Sequence, residues 1–305
     1  MSRILTVLLG FAGLTLAAMP ATASEIGPLV DSAWTAAHAC DDGVVVLDIR
    51  PAARAYTRAH IPCSVHSSYR GDDWRVVRDG VPGMLPDAQS LAALIGGLGI
   101  GNADHVVVAG PGGSAGAMAL ATRVYWTFKV SGHDAVSLLD GGIAAYGASG
   151  AALEKGEATP RQAKTFAVTL QPDLLASAGD IIAANAAGTS LIDNRGSDYY
   201  VGINKSGIAA RAGTLPGADN VPITWLTAPN GQFQSAAVLS DIADKTSLSA
   251  SDPQISFCNS GQMASLGWFV AHELLGNDQA RLYDGSMADW TADPARDVER
   301  QIGGE

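Results

Sequence analysis

One succession of segments runs twice through this chain, and a repeat of that size dictates two similar domains before any single motif is weighed. Val44-Val45-Val46-Leu47-Asp48-Ile49-Arg50 is an apolar run ending in Asp-x-Arg, and Ser190-Leu191-Ile192-Asp193-Asn194-Arg195 repeats it. A loop follows each, Ala59-His60-Ile61-Pro62-Cys63 in the first half and Gly213-Thr214-Leu215-Pro216-Gly217 in the second. In both, a proline fixes the backbone ahead of a turn. Second apolar strands are expected at His105 to Ala109 and Gln254 to Phe257. Each leads through a glycine-containing loop into a helix, about Met118 to Val130 and Ala264 to Leu275. The helices stop at Gly132 and Gly276, as helix C-termini do. Third strands, Val136 to Leu139 and Ala280 to Tyr283, end in Asp140-Gly141-Gly142 and Asp284-Gly285-Ser286.

Short apolar strands alternating with helices of about a dozen residues predict an α/β fold with two domains, each a mainly parallel sheet flanked by helices. The polar stretch Ala151 to Lys164, which contains Pro160, reads as a linker between an N-terminal domain over 24–150 and a C-terminal domain over 165–305. Apolar residues at 47% and charged residues at 16% exclude collagen, coiled coil and wholesale disorder. A net charge of −11 removes the electrostatic footprint of a nucleic-acid binder, so no nucleic-acid partner is expected.

Residues 1–23 read as a cleaved secretory signal. Arg3 is the positive start, Ile4 to Ala18 the apolar stretch, and Ala21-Thr22-Ala23 the cleavage site. The apolar stretch is shorter than the ~20 residues that span a bilayer. The expectation is a mature chain beginning at Ser24, periplasmic or secreted, with no membrane attachment. Loss of Arg3 with the leader takes the net charge from −11 to −12.

In an open α/β sheet, ligands collect at the carboxyl ends of strands, where loops lead into helix N-termini. Cys258 falls at such an end and opens the loop Cys258-Asn259-Ser260-Gly261-Gln262-Met263, with a helix expected from Ala264. Leu266, Phe269, Val270 and Leu274 form its apolar stripe. A thiol at a helix N-terminus under a glycine-bearing loop is set up as a nucleophile, because the helix dipole and backbone N–H groups favour the thiolate.

The linked set of Asp-x-Arg, Leu215-Pro216-Gly217-Ala218, Cys258 with its short loop and helix, Tyr283-Asp284-Gly285-Ser286 and Trp290 resembles the rhodanese (thiosulfate sulfurtransferase) family in its tandem-domain form. The resemblance covers nearly the whole mature chain. It implies that Cys258 is catalytic, taking sulfane sulfur from a donor as a persulfide and passing it to a thiophilic acceptor such as cyanide or a thiol. Asn259, Ser260, Gly261, Gln262, Met263 and Ala264 would form the substrate-binding loop. Asp193, Arg195 and Tyr199 would serve as substrate contacts or as structural ties. No cofactor and no metal are implied, and the partners are a small-molecule donor and acceptor or a thiol protein. The first half would be a non-catalytic duplicate, its position matching Cys258 falling near Ala109 or Gly110.

Departures from the pattern bear on the donor. Rhodaneses acting on thiosulfate often carry basic residues just after the cysteine, where this chain has Asn259 and Ser260; Tyr199 stands where an arginine before Tyr200 is common. A loop without cations predicts weak thiosulfate binding that Ser260→Lys would tighten about tenfold. Small polar loop residues also resemble mercaptopyruvate sulfurtransferases, and a non-turnover sulfur carrier is a further alternative.

Rival chemistries have weaker support. A cysteine phosphatase needs C-x5-R, and the residue in that place is Ala264. His272, the second half's only histidine, lies roughly 21 Å along the same helix from Cys258 at 1.5 Å per residue. Gly112-Gly113-Ser114-Ala115-Gly116 matches the G-x-S-x-G nucleophile elbow, and Gly110-x-Gly112-x-x-Ala115 a dinucleotide loop, in a stretch so rich in Gly and Ala that chance explains both. No Cys/His pair has zinc spacing. Cys40 and Cys63 are either a disulfide, or Cys63 stands in for the turn glycine of the second half.

Overall fold

The computed structural model describes residues 26–157 and 160–303; the expected leader and cleavage site lie outside them. The first half contains β1 (Leu29–Val30), β2 (Val44–Asp48), β3 (Val65–His66), the hairpin β4 (Val76–Arg78) and β5 (Val81–Met84), β6 (His105–Ala109) and β7 (Val136–Leu139). The second half contains β8 (Leu175–Ala176), β9 (Ser190–Asp193), β10 (Asp219–Asn220), β11 (Gln254–Phe257) and β12 (Ala280–Tyr283). The first sheet runs β1-β7-β6-β2-β3 and the second β8-β12-β11-β9-β10, the same order, with every pair in both sheets parallel.

Parallel strands covered on both faces need apolar residues at consecutive positions, and the pleat sends alternate side chains to opposite faces. Val45, Leu47, Val106, Val108 and Leu138 face a core shared by the two domains, while Val46, Val107, Ala109 and Leu139 face an outer one. In the second sheet Ile192 and Leu282 face the shared core, and Leu191, Ile255, Phe257 and Tyr283 its own outer core. The helices Ala115–Val130 and Gln262–Phe269 lie against each other in the middle layer. Tyr125 meets Phe269 edge-on at 4.9 Å, and the Thr122 and Ser265 hydroxyls hydrogen-bond at 2.8 Å.

The second helix departs from the expected Ala264–Leu275. It starts at Gln262, stays α-helical to Phe269, and widens into a π turn over Val270–Leu274. Being covered by both its sheet and its partner helix, it buries every residue from Ala264 to Ala271, not a single stripe. The other helix starts at Ala115, where the Ser114 hydroxyl caps the N–H of Ala117.

Residues on either side of the expected boundary at 164/165 run along the first half. Lys164 pairs with Asp104 at 2.6 Å, Phe166 is buried beside Phe128 and His133, and Gln171 donates its N–H to Val130. Cys40 and Cys63 are disulfide-bonded, with Cα atoms 5.3 Å apart. Cys63 has φ +60, as the matching Gly217 has φ +74, so it is both a bridge partner and the turn glycine's replacement.

Candidate active site

Strand parity places the cysteine. Phe257 points into the outer core, so Cys258, one residue on, turns into the shared core between the domains, where it is 1% exposed. Cys40 and Cys63 being bridged, Cys258 is the only free thiol of the chain.

The turn after β12 clamps its loop. Ser286 Oγ accepts the N–H groups of Cys258 at 3.1 Å and Gly261 at 3.0 Å, and donates to the Tyr283 carbonyl at 2.8 Å. Met287 and Ala288 donate their N–H groups to the carbonyls of Cys258 and Asn259. Ser286 sits at φ +50, a left-handed conformation that costs a non-glycine residue about 1–2 kcal/mol; the hydroxyl that bridges the loop is the compensating gain. Gly261, at φ +75, caps the Gln262–Phe269 helix. Among the described residues no protein acceptor takes the N–H groups of Asn259, Ser260, Gln262, Met263 or Ala264. Such a set of backbone donors at a helix start favours an anion.

The first domain completes the site. Arg75 donates to the Ser260 carbonyl, to Ser260 Oγ at 2.8 Å and to Gln262 Oε1 at 3.3 Å, and Tyr69 OH donates to the same Gln262 oxygen at 3.1 Å. Burial holds the Tyr69 phenol above its usual range, so it stays a neutral donor. Beneath the loop, fully buried Arg123 pairs with Asp284 at 2.6 Å, and Asp284 accepts the N–H of Leu85 at 2.6 Å. A Cβ on Gly261 would lie 2.5 Å from Arg123 Nη1, which is why the loop needs glycine there.

Asp193 and Arg195 form a tie. Arg195 forks onto both Asp193 oxygens, donates to the Gly213 carbonyl at 2.8 Å, and extends Nη1 toward Asn259 Oδ1 at 3.5 Å. Asp48 and Arg50 repeat the fork and the loop-carbonyl contact, at Ala59, in the domain that has no free thiol.

Residues 31–149 and 177–293 each match the rhodanese-like domain. The chain belongs to the rhodanese-like family. This rhodanese-like chain is 30% identical over 269 residues, covering 86% of itself and 92% of the relative, to a Saccharopolyspora erythraea protein named "Putative thiosulfate sulfurtransferase". It is 28% identical to the sulfur carrier protein TtuD of Thermus thermophilus, over 86% of this chain and 93% of that one. Its fold superposes on the Escherichia coli 3-mercaptopyruvate enzyme SseA with a TM-score of 0.75 at 26% identity, covering 86% of this chain and 99% of that one.

Of the rhodanese-like loop expected from the sequence, Asn259, Ser260, Gln262 and Met263 are part-exposed around Cys258, and Gly261 and Ala264 are buried. Tyr199 lies beside Arg195, its ring centre 6.0 Å from the guanidinium. The match to Cys258 in the first domain is Gly110: Ile49 N–H bonds Ala109 as Asn194 N–H bonds Phe257. Ser114 of the apparent nucleophile elbow is a helix cap, and His272 stacks on Trp268 at 4.6 Å with Nδ1 3.0 Å from Glu273.

Sequence reasoning missed Tyr69, Arg75, Arg123 and Leu85, all from the other domain. Arg75 corrects one expectation: the loop carries no cation of its own, but a cation from the first domain bonds it. Ser286 ends the Tyr283-Asp284-Gly285-Ser286 segment, and its signal is a serine where the repeat has Gly142.

Proposed function

We propose that the protein is a sulfurtransferase that carries sulfane sulfur on Cys258 as a persulfide, with thiosulfate or a similar anionic compound as donor. The observation that carries the reading is a sole free thiol at the end of the central strand β11, in a loop that Ser286 clamps through the Cys258 and Gly261 N–H groups while five further N–H groups have no protein acceptor among the described residues. The Cys258 thiolate attacks the outer sulfur of thiosulfate; the S–S bond of the donor breaks and sulfite leaves with the electron pair. Cyanide or a thiolate then attacks the outer sulfur of the persulfide, and the Cys258 thiolate is released unchanged. The free N–H groups offset negative charge on the sulfur in both steps. A mercaptopyruvate donor is the second reading, favoured by the likeness to SseA and the small Ser260-Gly261 pair. The relative TtuD is named a sulfur carrier protein, and a thiol protein is the acceptor that such a role would use.

Export to the periplasm or beyond goes with this reading, because the Cys40–Cys63 bridge belongs to an oxidising compartment and the leader has the signal pattern. N-terminal sequencing of the mature protein should begin at Ser24. For the chemistry, intact mass should rise by one sulfur atom after thiosulfate and fall back after cyanide. Cys258→Ser should show no such adduct while remaining folded; an adduct or thiocyanate formation persisting in that variant would sink the assignment.

A further inference from the structure

The charges facing the Cys258 loop do not cancel. Arg123 is matched by Asp284 and Arg195 by Asp193, Tyr69 is neutral, and Asp72 accepts from Ser67 and Ser68. Arg75 alone has no carboxylate within salt-bridge distance among the described residues; its donors go to the Gly83 and Ser260 carbonyls, the Ser260 hydroxyl and the Gln262 amide oxygen. Arg75 is part-exposed, with its guanidinium bonded to the Ser260 carbonyl and hydroxyl of the loop. Tyr69 meets Arg75 at Gln262 Oε1, on the same loop that begins at Cys258.

A built-in vacancy lets Arg75 reach this place. A methyl group on Gly83 would overlap Arg75 Nη2 and lie 2.7 Å from Cζ, and Gly83 itself is at φ +85. On the second domain's own side, the residue beside Arg195 is the uncharged Tyr199.

We propose that Arg75, supplied by the domain without a nucleophile, is the specificity-determining residue that recognises the acid group of an anionic sulfur donor as its sulfur approaches Cys258. The proposal rests on the reading of Cys258 as the sulfur carrier. An unpaired guanidinium next to five unoccupied N–H groups is matched to a sulfonate or carboxylate, and it leaves neutral compounds without that gain.

Two readouts test it. The first is the KM for thiosulfate, expected to rise about tenfold in Arg75→Gln with a smaller change in kcat, and to return most of the way in Arg75→Lys. The second uses Cys258 as the sole free thiol: alkylation by iodoacetate against iodoacetamide, two reagents of one chemistry that differ in charge. Changes in loop order or thiolate fraction act on both reagents and cancel in the ratio, so only a local charge moves it. Arg75→Gln should lower the iodoacetate to iodoacetamide rate ratio about tenfold at low salt, with the difference shrinking as salt rises. Gly83→Ala, which displaces the guanidinium and keeps the arginine, should move both readouts the same way. A KM within twofold of the parent, or an unchanged rate ratio in a folded Arg75→Gln or Gly83→Ala, overturns the proposal. Failure of the parent to acquire sulfur from thiosulfate sinks the persulfide reading instead, and the alkylation ratio still decides the case of Arg75.

Discussion

The loops after β6 and β11 are the same structure put to two ends. In the second domain Ser286 Oγ props the Cys258 loop, while in the first the matching residue is Gly142, at φ +62, lying directly against the loop. A Cβ there would sit 2.5 Å from the Gly110 carbonyl oxygen and 2.8 Å from Gly112 N. Each domain also covers the other's loop with a hairpin. Leu85 donates its N–H to Asp284, and Phe233 donates its own to Asp140 at 2.9 Å. Two residues before each donor is a glycine. Gly231 presses its backbone onto Gly113 and Ser114, whereas Gly83 leaves its space to Arg75. Asp284 has Arg123 beside it; Asp140 has no cation within salt-bridge distance among the described residues, and burial pushes its carboxyl up. One copy of the duplicated loop is thus packed against glycine backbone, whereas the other is clamped on one hydroxyl and bonded by an arginine from across the interface.

The largest effect expected concerns a staple that only the first domain has. Replacing Cys40 and Cys63 by Ser removes a bridge across a separation of 23 residues, which should destabilise the protein by about 3 kcal/mol in urea unfolding. Activity per folded molecule should persist. Restoring a glycine at 63, as at Gly217, should recover about 1 kcal/mol in the Cys40→Ser background. No recovery would mean that the two turns are not equivalent.

Exchanging the clamp residues gives the next two tests. Gly142→Ser forces a side chain against backbone atoms that cannot retreat, and should cost about 2 kcal/mol of stability. Ser286→Gly is the reverse case. Relief of the left-handed strain offsets the lost hydrogen bonds, so the midpoint of unfolding should barely move, while kcat/KM should fall about tenfold as the Cys258 and Gly261 N–H groups lose their acceptor. Equal kcat/KM in Ser286→Gly would show that the hydroxyl does not hold the loop open.

What the sequence allowed to be read, and what it hid, divides along the same interface. Strand positions and the place of Cys258 at a strand end are local properties: Val45 to Leu47 is apolar because it is covered on both faces, and Gly132 and Gly276 end helices by their own φ. The Asp-x-Arg ties were legible as residues and ambiguous as roles, and the copy at Asp48 and Arg50 makes them structural first. Arg75 carried no local signal. It lies 183 residues before Cys258 in sequence, just before the β4–β5 hairpin, whose counterpart at Thr227 and Phe233 is reduced to one bridge. Repeat matching is blind where the copies differ. The expectation for Ser260→Lys accordingly reverses: Arg75 already bonds that hydroxyl, so an ammonium there opposes a guanidinium, and KM for thiosulfate should not fall.

The smallest effect separates the helices that follow the first strand of each domain. Asp31 caps the Ser32–His38 helix alone, whereas Ser177 caps Ala178–Ala187 with Asp180 bonding back to the Ser177 N–H at 2.8 Å, a complete capping box. Hydrogen bonds from the Ser177 side chain and backbone, then Arg281 at 2.8 Å, hold the Asp180 carboxyl down from 3.8 to about 2. A carboxyl depressed in the folded state stabilises it at pH values above its unfolded value, near 4, and that contribution drains away as pH falls toward 2. The group is part-exposed, so solvent limits the gain, and the measured range for such caps is about 0.5–2 kcal/mol. Asp180→Asn should therefore lower stability by up to about 1 kcal/mol at pH 7 and by nothing measurable near pH 2. A deficit that is the same at both pH values would show that the residue's packing, and not its charge, closes the box.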